Sequence, residues 1–288
     1  MYSQERQAKI VDLLGSQSSV SVSVLADMLK TSKETIRRDL KALESEGILT
    51  RTHGGAILNV NTPHVGAAAK FGDAVMNNEY PFALRHIRNI PAKKVIAQKA
   101  ATLIEDRDTI FIDNSSTTLF LLDYIPQDLH LTIITNSVKV LLEAAKKENS
   151  NISLISLAGF YNPNNYSVYG TRTIKSAEEF FPNKTFISCT GVTLNKQLTD
   201  ISLNEVDTKL AMMRKSEETY LLADHTKFEI NGPFYLSGFH SIDYIVTEYG
   251  IAKMRGVPVS GRVENLINIA HPDFRDMLRA GAEQYKLW

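Results

Sequence analysis

The sequence predicts an α/β protein built from two domains. Strand-like and helix-like runs alternate from about residue 95 onward, as in a mostly parallel sheet with crossover helices. The first 58 residues follow another pattern, helices and then two short β-prone runs around Gly54-Gly55. A chain of 288 residues is long enough for both.

Gln4 to Leu14 places Ile10, Leu13 and Leu14 on one side and reads as a first helix. Val20 and Val22 suggest a short strand, and Ser23 a cap for a second helix containing Leu25, Met28 and Leu29. Thr31 and Glu34 have the spacing of a capping box, Ile36, Leu40 and Leu43 give an apolar stripe, and Gly47 is the expected stop. Lys33, Arg37, Arg38 and Lys41 lie away from that stripe, with Thr35 near the first turn. Lys and Arg suit phosphates, and Arg also pairs bidentately with guanine edges. A solvated helix face is the plain alternative, since Glu34, Asp39, Glu44 and Glu46 accompany the cations. The order of elements favours recognition: helix, turn, helix and then a hairpin over residues 48–58 is a winged helix-turn-helix. Arg51 and His53 on the wing are placed to reach the DNA backbone or minor groove.

Lys plus Arg equals Asp plus Glu at 32 each, so nucleic-acid binding requires a local patch. The one cysteine, Cys189, excludes an intrachain disulfide and a cysteine-rich zinc site, which fits a reducing cytoplasm. The polar start of the chain does not resemble a signal peptide, and no run has the apolar length of a membrane span. The expectation is a cytoplasmic protein with no metal or cofactor.

Residues 59–80 read as a linker, with Pro63, Gly66 and Gly72 among polar residues, so the domains are expected at 1–58 and 81–288. Val95 to Ile104 reads as a helix. Strands are expected at 109–112, 131–134, 152–157, 185–188, 219–223 and 242–247, and helices at 119–122, 138–147, 174–181 and 203–214. Ligands of such sheets bind beyond the carboxyl ends of the strands. There the chain places Asp113, Asn114, Ser115, Ser116, Thr117 and Thr118, then Thr135, Asn136 and Ser137, and a further helix opening at Gly170. Hydroxyls and amides at helix starts suit a phosphate, although Ser and Thr there are often only caps. Asp224 and Lys227 follow another strand, Lys227 being the natural counter-charge. Glu205 and Lys209 are spaced for an i,i+4 ion pair.

The N-terminal residues Arg6, Ile10, Ser32, Thr35, Ile36, Arg37, Arg38, Asp39, Leu40, Arg51, His53, Gly54, Gly55 and Ala56 resemble the signature of DeoR-type bacterial transcriptional repressors. The second half resembles their effector domain through Asp113 to Thr118, Thr135 to Ser137, Glu205 with Lys209, and Asp224 with Lys227 and Phe228. The resemblance implies a C-terminal α/β sugar-phosphate sensor of the ribose-5-phosphate isomerase and CoA transferase-like fold. It also implies a homo-oligomer on double-stranded operator DNA, a phosphorylated sugar as effector, and a regulator of carbohydrate catabolism without enzymatic activity. Ser115 departs from the family glycine, where a Cβ could crowd the loop. Residues 242–278 resemble instead the end of acetyl-CoA hydrolases and CoA transferases, through Thr247-Glu248-Tyr249-Gly250, Arg255-Gly256, and Ala270 to Arg275. The alternative is therefore a CoA-thioester sensor or a degenerate transferase-like enzyme. If the tail is kept for packing, Ile251, Leu266, Ile267 and Phe274 belong to the core.

Overall fold

In the computed structural model the described residues are 3–17, 19–45, 48–58, 82–193, 195 and 197–285. The chain divides into two compact units, Met1–Ile90 and Pro91–Trp288.

The first unit comprises α1 (Ser3–Gln17), β1 (Ser19–Ser21), α2 (Val22–Met28), α3 (Lys33–Ser45), β2 (Leu49–Thr52), β3 (Gly55–Leu58) and α4 (Phe82–Ile87). Its core joins Ile10, Val11 and Leu14 of α1 to Leu25 of α2, and to Ile36, Leu40 and Leu43 of α3. The expected helical stripes are thus largely buried, with Leu13 and Leu29 half-buried and Met28 exposed. The three strands pair antiparallel in the order β1-β3-β2. The turn between β2 and β3 needs both glycines: Gly54 has φ +97°, and a Cβ on Gly55 would stand 2.4 Å from the Val20 carbonyl oxygen.

Both helix caps differ from expectation. Ser21, not Ser23, caps α2 by accepting from the Val24 amide at 3.2 Å, because the helix follows the strand directly. At α3 the Ser32 hydroxyl accepts from the Thr35 amide at 3.1 Å, so the expected Thr31–Glu34 box lies one residue early. Gly47 and the expected linker, residues 59–80, lie outside the described residues. The second domain was placed from residue 81, whereas the division falls after Ile90, since α4 associates with α1 in the first unit.

The second unit comprises α5 (Ile90–Ala101), which begins on the division, then β4 (Thr109–Ile112), β5 (Leu131–Thr135), α6 (Val138–Ala145), β6 (Ile152–Ser156), β7 (Phe160–Asn162), β8 (Ser167–Tyr169), α7 (Thr171–Glu178), β9 (Lys184–Ile187), β10 (Gly191–Val192), β11 (Gln197–Asp200), α8 (Leu203–Lys215), β12 (Glu218–Leu222), β13 (Phe234–Gly238), β14 (Tyr244–Thr247), β15 (Gly250–Lys253), α9 (Val259–Asn268) and α10 (Pro272–Gln284). The expected helix at 119–122 is a 3-10 turn, Thr118–Asp123. Seven strands form the main sheet in the order β15-β14-β12-β9-β4-β5-β6. All its pairings are parallel except β14 with β15. A smaller antiparallel sheet, β10-β11-β13, and the hairpin β7-β8 complete it. Phe111, Ile134 and Leu157 pack against Ala177 of α7 and against Ala211 and Met212 of α8. Strand order reverses at β4, with β5 on one side and β9 on the other, and such a switch point opens a crevice at the strand ends. In the tail, Ile267 is buried and Leu266 packs on the core, but Ile251 and Phe274 are 38% and 55% exposed. On β15 the alternation turns Ala252 inward and Ile251 outward.

Asp39, on the recognition helix, is 2% exposed and accepts from Ser3 Oγ at 3.1 Å and from Arg6 through both Nε and Nη2. Removing one partner of such a buried pair costs about 3–5 kcal/mol. Arg6→Ala is therefore expected to lower the first unit's stability by about 3 kcal/mol, read as a shifted urea midpoint.

Candidate functional site

The exposed face of α3 carries Lys33, Glu34, Arg37, Arg38 and Lys41, while Ile36, Asp39, Leu40 and Leu43 face inward. With Asp39 committed to Arg6, the exposed carboxylate left between Lys33 and Lys41 is Glu34, which pairs with Arg37 at 3.2 Å. Thr35 is half-buried, its hydroxyl 2.8 Å from that of Ser32, so it serves the helix start. The wing is tied to the same helix: Glu44 accepts from the Arg51 amide at 3.0 Å and from Arg51 Nε at 2.6 Å. These bonds hold the Glu44 carboxyl below its usual range. His53 is exposed at the wing turn. The expected DNA-contacting residues thus fall on an exposed helix face and its attached hairpin, with Arg51 also fixing the hairpin.

In the second unit the strand-end residues converge at the switch point. Asp113 is fully buried at the end of β4. Its Oδ1 accepts from the Ser115 amide at 3.0 Å and from Thr118 Oγ1 at 2.6 Å, and its Oδ2 from the Ser188 amide, beyond β9, at 3.1 Å. Ser115 turns its hydroxyl into the loop, accepting from the Thr118 amide at 3.1 Å. The Cβ in place of the family glycine therefore comes with a cap. Ser116 and Thr117 are buried beside it. Thr135 and Ser137 are also buried; Thr135 Oγ1 donates to the Ile112 carbonyl at 2.6 Å, and Ser137 caps α6 through the Val140 amide.

Lys209 and Glu205 are not a surface pair. Both are buried on α8 and engage different partners. Lys209 Nζ donates to Asp200 Oδ2 at 2.5 Å and to the Ser188 carbonyl at 2.8 Å, and lies 3.5 Å from Asp113 Oδ2. Burial opposes its charge, but Asp200, Asp113 and Glu205 together hold Lys209 above the ordinary lysine range. Burial also opposes the charge on Asp200, which Lys209 nevertheless keeps below the usual carboxylate range. Glu205 Oε1 accepts from Ser167 Oγ at 2.9 Å and Asn165 Nδ2 at 3.3 Å, tying α8 to β8. Asp224 caps a 3-10 turn, His225–Lys227, through the Thr226 amide. Lys227 is half-buried there, near enough to act on the charge of Cys189, whose thiol burial pushes up to about 12. Gly170 opens α7 with φ +101°.

One residue escaped sequence reasoning. Lys93 of α5 is 4% exposed and donates from Nζ to Ser116 Oγ at 3.1 Å. The signal was present: Lys93 stands three and four residues before Ile96 and Ala97, on the buried stripe of its helix. It brings an ammonium to the hydroxyl-rich loop, and that chemistry suits a phosphate.

A DeoR C terminal sensor domain model matches residues 88–249, and a DeoR-like helix-turn-helix domain model matches residues 6–62. The chain belongs to the DeoR family of transcriptional regulators. An acetyl-CoA hydrolase/transferase C-terminal domain model matches residues 230–282. Among curated relatives, the uncharacterized HTH-type transcriptional regulator YulB of Bacillus subtilis is 33% identical over 90% of this chain and 98% of its own length. The L-fucose operon activator of Haemophilus influenzae is 32% identical over 84% of this chain and 91% of its own. The lactose phosphotransferase system repressor of Streptococcus mutans is 32% identical over 79% and 84%. Among solved structures, 4-hydroxybutyrate CoA-transferase from Porphyromonas gingivalis aligns at TM-score 0.46 and 20% identity, over 68% of this chain and 56% of that one. Ribose 5-phosphate isomerase A from Methanocaldococcus jannaschii aligns at 0.35 and 17%, over 47% and 53%. The winged helix-turn-helix makes this DeoR-family regulator a DNA-binding protein with a separate sensor domain. No helix of its described residues is long and apolar enough to cross a membrane.

Lys209→Met would leave Asp113 and Asp200 buried without their cation, an arrangement that costs about 3–5 kcal/mol. The expected result is a loss of that size in the sensor unit, read by urea unfolding, while the N-terminal unit keeps its own transition.

Proposed function

We propose that this regulator is a cytoplasmic repressor of a carbohydrate-catabolism operon, and that a phosphorylated sugar at the switch point releases it from DNA. The observation that carries the effector class is the hydroxyl-rich loop Ser115–Thr118 with the buried ammonium of Lys93 on Ser116. Lys93, on Ser116, and Lys227, on the turn after β12, supply the counter-charge for the phosphate. Asn136, after β5, and Glu205, on α8, carry groups that suit sugar hydroxyls. The relatives named for L-fucose and lactose systems support a sugar-linked role, and both an activator and a repressor occur among them.

Residues 1–58 read the operator, and the unit that begins at Pro91 carries the sensor. A homo-oligomer presents two α3 helices to two half-sites of double-stranded DNA. Effector binding lowers DNA affinity through a coupling free energy between the two sites. A thermal-shift panel of sugar phosphates and acetyl-CoA tests the effector class. Stabilisation by a sugar phosphate with loss of operator binding is the expected result. Saturable binding of acetyl-CoA with no response to any sugar phosphate would overturn it.

Two variants separate reading from sensing. Arg37→Ala and Arg38→Ala are each expected to weaken operator binding by about 1–3 kcal/mol in gel-shift titration with the fold intact; unchanged affinity in both removes α3 from the major groove. Lys227→Ala is expected to bind operator normally and to resist release. A wild-type effector response in that variant places Lys227 outside the site.

A further inference from the structure

The β7-β8 hairpin carries a feature that the effector motifs do not use. Phe160 is 71% exposed, an unusual state for a phenyl ring on a paired strand. One edge of the ring lies on Gly170, where a Cβ would stand 3.3 Å from Phe160 Cδ2. Opposite it in register is Tyr169, with ring centroids 6.2 Å apart and planes tilted by 45°. Directly opposed residues share one face of a hairpin, and so do residues two apart along a strand. Phe160, Tyr169, Asn162 and Ser167 therefore share a face, and Ser167 on that face donates to Glu205.

The hairpin is fastened to the strand-end loops. The Val168 amide donates to the Asn136 carbonyl at 2.8 Å, and the Val138 amide to the Tyr166 carbonyl at 2.8 Å. Asn136 Nδ2 donates to the Val168 carbonyl at 3.3 Å, and its buried Oδ1 has no hydrogen-bond partner. A buried acceptor without a partner calls for a donor, and a sugar hydroxyl is one. The hairpin bonded to the segment after β5 thus carries an exposed Phe160 ring, lies beside the unpartnered Asn136 acceptor and reaches the Glu205 carboxylate through Ser167.

We propose that Phe160 and Tyr169 form a platform for the C–H face of the effector's sugar ring, so that the sensor selects ring-form sugar phosphates over open-chain polyol phosphates. This inference rests on the sugar-phosphate reading of the loop Ser115–Thr118 and adds the ring end of the same ligand. A pyranose presents a flat patch of axial C–H groups to such a platform, whereas a polyol presents none in fixed geometry and loses more conformational freedom on binding. Aromatic contacts of this kind change affinity about three- to tenfold.

The test is calorimetry on the full chain with methyl glucoside, galactoside and mannoside 6-phosphates, whose rings are locked, against the corresponding hexitol 6-phosphates and inorganic phosphate. Wild type is expected to bind at least one locked ring about tenfold more tightly than its hexitol. Phe160→Ala is expected to erase that preference while hexitol phosphate and inorganic phosphate bind as before, and Phe160→Tyr to restore it. Equal binding of ring and hexitol in wild type, or a preference that survives Phe160→Ala, overturns the platform and leaves the phosphate site standing. So does a change of oligomeric state in Phe160→Ala with ligand preference intact, which would make the ring a subunit contact. Binding of inorganic phosphate with no member of the sugar panel overturns both the platform and the sugar reading.

Discussion

The sensor unit depends on one buried ammonium. Lys209 holds Asp113 and Asp200 together where water does not reach, and its third partner is the Ser188 carbonyl. Two buried carboxylates would otherwise repel each other, and each would carry its own desolvation cost. With Lys209 in place, Asp113 becomes a hub that fixes the loop after β4 to the strand end of β9. Those two strands flank the point where the sheet order reverses, so the crevice forms where the charge cluster sits. The cluster lies beneath the loops and orients them. Lys93 on α5 meets the loop after β4 at Ser116, and Lys227 lies on the turn after β12.

The N-terminal unit uses the same device for a different end. Asp39 belongs to the recognition helix by sequence, but it is turned inward onto Arg6 and Ser3. The pair docks α1 on α3 and also removes one of the two acidic groups among Lys33 to Lys41 from the exposed face. In a chain with equal numbers of acidic and basic residues, this leaves a local basic patch on α3. Glu44 takes the second step. By gripping both the amide and the guanidinium of Arg51, it sets the hairpin at a fixed angle to the helix.

Most of this was legible in the sequence because the signals were long or doubly constrained. Helix stripes such as Ile36, Leu40 and Leu43 carry their own period, and β4, β5, β9 and β12 are apolar runs beside polar strand ends. Caps were misplaced by one or two residues because Ser21 and Ser23, or Thr31 and Ser32, offer equivalent hydroxyls, and only tertiary packing chooses between them. The β10-β11-β13 sheet and the β7-β8 hairpin went unseen because their short strands show no period, and because β11 finds β13 only across a long interval. Lys93 was hidden by its neighbour Lys94, since a lysine pair on a helix reads as solvated unless the stripe is followed back from Ile96. Glu205 and Lys209 had the spacing of a surface pair, and nothing local indicated that each would find a buried partner on another element.

The tail that resembles acetyl-CoA hydrolases is explained by what its residues touch. Thr247 donates to the Ile269 carbonyl at 2.7 Å and accepts from the Tyr249 amide at 3.1 Å, which closes the turn after β14 onto α9. Arg275 donates to the Ala270 carbonyl at 3.1 Å. Arg255 lies 2.9 Å from Asp243, which in turn accepts from the Thr219 amide of the neighbouring strand. Glu248 is occupied by the backbone and ring of His225. Each of these polar groups meets the chain's own backbone or an adjacent side chain, and the result is a parallel sheet closed by one antiparallel edge strand. The tail thus serves to pack the β15 edge of the sheet, on which α9 lies. The proposed effector site lies elsewhere, at the strand ends of β4 and β9, where Asp113, Ser188 and Lys209 meet.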